Sequence, residues 1–166
     1  MTADASVSAD LAFRARALAQ AHPLSPAAHR IVKRTVAEEA RSQPIEEAGV
    51  WAGAALTQGY CLRCVQEAGA EPGAGADVGD RAAGTLGDDA LERAAVELAE
   101  AMRAGTGDDV TVAALDLLVG SQVGHRLDQW RDELEPAAWT ELEQYLTWWV
   151  VKGYGLRMAE APAPVT

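Results

Sequence analysis

The only strong periodicity in this chain is the helical one, and nowhere do apolar and polar residues alternate at the two-residue period of a half-buried strand. Alanine and leucine, both strong helix formers, are the commonest residues, and β-branched isoleucine is rare. Helix is therefore the one regular element the pattern supports, and the chain reads as all-α. Its 166 residues suit one domain, which at that size buries roughly 70% of its unfolded surface. The expectation is a single domain over residues 1–166, a bundle of about six helices.

Helix starts are marked where a capping residue precedes proline at the first helical position, because the cap satisfies one orphan N–H and proline removes another. Ser25-Pro26 has this form. Pro44, with Ser42 before it and Glu46 and Glu47 in the first turn, marks another start, as does Glu135-Pro136. Asp88 and Asp108 can cap two more. These signals predict helices over Ser8–Ala21, Pro26–Arg41, Pro44–Gly69, Asp89–Ala104, Asp109–Leu134 and Pro136–Ala161. Residues 70–87 hold Pro72 and five glycines and read as a mobile connector, since glycine is costly to order. Residues 161–166, with Pro162 and Pro164, read as a frayed tail.

Charge narrows the function classes. With 25 acidic against 14 basic side chains the net charge is −11, a field that repels phosphate backbones and anionic lipid headgroups. Neither nucleic acid nor a membrane is an expected partner. Apolar runs such as Ala113–Val119, broken by Asp116, fall far short of the roughly 20 residues a spanning helix needs. No secretory pattern opens the chain, so the expected location is cytoplasmic. Arg30, Lys33 and Arg34 form the only tight basic cluster, with Glu38 and Glu39 just beyond, and read as a solvated helix face.

Two segments resemble each other. His29-Arg30-Ile31 leads to Pro44 and then to Gly59-Tyr60-Cys61-Leu62-Arg63; His125-Arg126-Leu127 leads to Pro136 and then to Gly153-Tyr154-Gly155-Leu156-Arg157. An internal two-fold repeat of helix pairs is one reading of this order. On one heptad, Ile45, Ala48, Ala52, Ala55, Gly59 and Leu62 form a small-residue stripe, and Trp139, Leu142, Leu146, Trp149, Gly153 and Leu156 a large one in the same register. Small against large interlocks without voids, so these two helices are expected to pack together.

Such a crossing gathers Tyr60, Arg63, Tyr154 and Arg157, because tyrosine and arginine three residues apart share a helix face. Two guanidinium groups beside two phenols could hold a small anionic ligand, a carboxylate or phosphate, through bidentate hydrogen bonds. Alternatively, each arginine pairs with a glutamate of its own domain, such as Glu47, Glu67 or Glu141. Both readings stand on sequence alone.

The remaining candidates point away from catalysis. Cys61 and Cys64 form the only CxxC, mid-helix and without further ligands at metal spacing, and read as reduced, partly buried thiols. No Glu-x-x-His, GxSxG, P-loop or dinucleotide fingerprint occurs, so no metal, cofactor or catalytic residue is assigned. His29 and His125 read as core histidines. Trp130, Trp148 and Trp149 crowd the last two predicted helices and are candidate interface residues. The functional expectation is a non-catalytic interaction or regulatory protein, a homodimer or bound to a protein partner. The alternative is a small-anion binder, or an enzyme acting on one, at the Tyr/Arg cluster.

Overall fold

The computed structural model describes residues 3–21, 24–43, 47–70, 87–106, 109–130 and 136–160. Among them are six α-helices and no strand: α1 (Ala3–Gln20), α2 (Pro26–Ser42), α3 (Ala48–Ala70), α4 (Asp88–Ala101), α5 (Asp109–Trp130) and α6 (Pro136–Glu160). None of these helices is long and apolar enough to cross a membrane. The glycine-rich segment, apart from its end residues 70 and 87, and the tail 161–166 lie outside the described residues. So do Pro44 and Asp108 with their predicted helix starts.

Local chemistry explains most boundaries. Ser25 holds extended backbone, φ −63° and ψ 163°, and its Oγ accepts a hydrogen bond of 3.0 Å from the Ala28 amide, so α2 starts where the Ser-Pro signal places it. Several predicted ends differ, α3 beginning at Ala48 rather than Pro44 among them, and three of the shifts have a local physical account. Helix α1 begins at Ala3 rather than Ser8, because Ser8 is not a cap: it is buried, and its Oγ donates to the Val110 carbonyl across the fold at 3.0 Å. Helix α4 has Gly87, not Asp88, at its N-cap, with no side-chain cap bond; the Asp88 carboxylate is engaged by Arg30 instead. At its other end α4 stops at Ala101, not Ala104, and passes into a single π turn over Met102–Thr106, in which Gly105 takes φ 96°. That left-handed conformation suits glycine and cannot continue a right-handed helix.

Helices α3 and α6 form the central pair. Helix α4 lies on α6, α1 and α2 lie on α3, and α5 bridges α1 and α6. One apolar core draws on all six helices, with Ala12 and Ala15, Ile31, Leu56 and Leu62, Leu91 and Ala95, Leu118, and Leu146 and Leu156 among its buried members. Each fully buried leucine contributes on the order of 1.5–3 kcal/mol. Of the two predicted stripes, every member whose side chain is described is buried. The central pair meets through glycine: a Cβ on Gly59 would overlap the Val150 carbonyl, and a Cβ on Gly153 would overlap the Leu56 carbonyl. These two reciprocal approaches set how deeply α3 and α6 interlock.

Candidate functional site

Because Gly59 and Gly153 bring the backbones together, the residues that follow them meet across the crossing. Arg157 of α6 lies over the ring of Tyr60 of α3, with its guanidinium carbon 5.7 Å from the ring centroid. Arg63 of α3 lies over the ring of Tyr154 of α6 at the same 5.7 Å. Each arginine also donates through Nη1 to the phenol it covers, Arg157 to Tyr60 at 3.4 Å and Arg63 to Tyr154 at 3.3 Å. All four predicted site residues therefore come together, each arginine engaging the tyrosine of the opposite helix.

The Arg157 side of the cluster is closed. Arg157 is the largest fully buried side chain among the described residues, at 0% exposure. Its Nε and Nη2 donate to the two carboxylate oxygens of Glu67 at 3.1 and 2.9 Å, and its Nη1 donates to Glu160 Oε1 at 3.0 Å. The same Glu160 oxygen accepts from the Tyr60 hydroxyl, while Oε2 accepts from Ser25, the residue that caps α2. Ser25, Tyr60 and Glu160 are all buried. Burial, then the Glu160 carboxylate, pushes the Tyr60 phenol well above its ordinary range. For Arg157, burial works against the charge, but the hydrogen bonds and charge of Glu67 together with the neighbouring Tyr60 and Cys64 outweigh it, and the pKa lies above its ordinary value. The result is a buried phenol that keeps its proton and a guanidinium neutralised by two carboxylates of its own chain.

The Arg63 side is different. The Arg63 side chain is 32% exposed, and its Nε lies 3.7 Å from Glu67 Oε2, which accepts a hydrogen bond from Arg157. That Nε is buried with no hydrogen-bond partner among the described residues. The Tyr154 hydroxyl donates to Gln66 Oε1, and Gln66 Nε2 donates to Thr111 at 2.8 Å. An amide thus stands on this side where a carboxylate stands on the other.

The chain matches no family model, no curated protein and no solved structure. Chemistry is therefore read from this chain's own geometry.

The other predicted residues fall in several places. Trp149 is buried within the chain, with its ring edge-on to Tyr145 at 6.2 Å and the Lys152 ammonium 4.9 Å from its centroid. Trp148 is half-buried, with the Arg103 guanidinium 5.5 Å over its ring. The side chains of Trp130 and His125 lie outside the described set. His29 is exposed on α2, not in the core, because α2 turns Ala28 and Ile31 inward instead. Cys61 and Cys64 form no disulfide and are fully buried in α3, and burial followed by the neighbouring Cys64 pushes the Cys61 thiol up. A protonated, enclosed thiol is a poor nucleophile.

Two features carry no sequence signal. The Ser25–Glu160 contact joins residues 135 positions apart. Arg30 and Arg34 do not face bulk water alone but pair with the acidic first turn of α4: Arg30 grips Asp88 through two bonds of 2.7 and 2.9 Å, and Arg34 reaches Asp89 at 3.2 Å and also Glu92. Glu92 additionally accepts from Lys152 at 3.0 Å. Arg30 holds the Asp88 carboxyl below the usual carboxylate range. The spacing of Asp88, Asp89 and Glu92 suggests only a helix start; proximity to α2 comes from the fold.

Proposed function

We propose that this chain is a non-catalytic helical interaction protein that associates with a second copy of itself. The observation that carries the reading is the placement of its exposed apolar side chains. Of the five large apolar residues exposed among the described ones, Val7 and Phe13 lie on α1 and Val112 and Leu117 on α5, and these two helices pack side by side. Phe13, the only phenylalanine, is 64% exposed. An aromatic residue offered to water on an outer helix pair is what a helical docking face requires. The best-equipped polar cluster, in contrast, is consumed on its Arg157 side by internal ion pairs, which argues against a reacting centre there.

We further infer that the helix pairs α2–α3 and α5–α6 are two copies of one ancestral unit. The matched Gly-Tyr-x-Leu-Arg spacings and the reciprocal glycine and arginine contacts support this reading.

Sedimentation velocity on the full chain tests the association. A dimer that becomes monomeric in Phe13→Ser/Leu117→Ser, with helix content unchanged, supports it. A parent protein that stays monomeric at the highest soluble concentration overturns it.

A further inference from the structure

We propose that Arg63, stacked on Tyr154, is an open binding site for a small organic carboxylate. The inference does not rest on self-association and stands or falls separately.

The chain itself supplies the template. The series Tyr154, Arg157, Glu160 on α6 matches Tyr60, Arg63, Gln66 on α3 at identical three-residue spacings. In the first series the residue three after the arginine is a carboxylate, and Glu160 accepts from both Arg157 and the opposing phenol. In the second, that position is the amide Gln66, which accepts from the opposing phenol but supplies no charge to Arg63. Glu67 does not make up the loss, since both its oxygens accept from Arg157 and the nearer one is 3.7 Å from Arg63. Among the described residues, Arg63, Arg157, Glu67 and Glu160 share the crossing, and both carboxylates accept hydrogen bonds from Arg157.

Exposure separates the two arginines further. Arg157 is enclosed at 0%, whereas the Arg63 side chain is 32% exposed. A guanidinium already fixed by stacking on a phenol has little freedom still to lose on binding. Its Nε is buried without a hydrogen-bond partner among the described residues, and about a third of the side chain is open to solvent, so a carboxylate arriving from solvent finds donors not yet used. Carboxylate is the class because that is what the same Arg–Tyr stack holds on the enclosed side.

The test is NMR of the arginine Nε–H groups in the full-length protein, titrated with sodium acetate against sodium chloride at matched ionic strength. The Arg63 signal should move saturably with acetate and not with chloride. The Arg157 signal, enclosed by Glu67 and Glu160, should stay in place and report that the fold is intact. Gln66→Glu restores the missing carboxylate, and acetate affinity should fall at least about tenfold, as competition from a tethered group requires. Equal movement with both salts, or no movement with acetate, overturns the site. Undiminished acetate binding in Gln66→Glu overturns its placement at the Arg63–Gln66 position.

Discussion

The carbonyl oxygen of Val150 occupies the space into which residue 59 would project a Cβ, so that only glycine fits at position 59. The same holds at Gly153 against Leu56. In an ordinary helix interior, Gly→Ala gains about 1 kcal/mol. Here the obstacle is backbone, which cannot swing aside, and overpacking of this kind costs about 1–3 kcal/mol or more. Gly59→Ala and Gly153→Ala are each expected to destabilise the protein, measured by urea unfolding. A neutral or stabilising result would mean that α3 and α6 are not so closely apposed.

The two arginines should differ sharply on truncation. Arg157→Met leaves Glu67 and Glu160 without their buried cation, a loss that typically costs about 3–5 kcal/mol. Arg63→Met removes a partly exposed group whose ion pair with Glu67 is long, at 3.7 Å, a kind of pair worth about 0–1 kcal/mol. Thermal melts of the two variants check this. Equal costs would show that the two sides of the cluster are not distinct.

Lys152 and Lys33 are the only lysines, and the fold treats them oppositely. Lys33 is exposed, while Lys152 is 6% exposed, paired with Glu92 and set over Trp149. Amine-reactive labelling read by peptide mass spectrometry should modify Lys33 first and Lys152 slowly. Glu92→Gln should speed labelling of Lys152 and leave Lys33 unchanged. Equal rates in the parent protein would contradict the closed seam between α4 and α6.

Alkaline pH should unfold the protein early. Tyr60, Tyr145 and Cys61 are all pushed up, first by burial and then by Glu160, Glu39 and Cys64 respectively. In the unfolded chain cysteine ionises near about 8.5 and tyrosine near about 10. Above those values the folded state holds more protons than the unfolded one, so this stability is fully present below about pH 8.5 and is lost as pH rises. Circular dichroism melts are expected to be level between about pH 7 and 8 and to drop from about pH 9 upward. A Tm unchanged at pH 11, beyond the roughly pH 10 at which tyrosine ionises in the unfolded chain, would contradict the burial of these groups.

What the sequence by itself determined was local or periodic. Helical spacing without strand alternation made the all-α class legible, and the Ser25-Pro26 and Pro136 signals placed two helix starts within the chain's own first-turn chemistry. The paired stripes of α3 and α6 foretold their contact, since complementary size at matching register is a pattern along the chain. The tertiary structure alone decided which carboxylates meet which cations. The Glu160 carboxylate could have remained in water at the end of α6, and Arg30 could have stayed on a solvated face. The crossing of α3 and α6 instead carried Glu160 beneath Ser25 and Tyr60, and the packing of α4 set Asp88 against Arg30. Partners far apart in sequence leave no spacing to read, because a charge pair is fixed by distance in space, and that distance exists only once the apolar faces have packed.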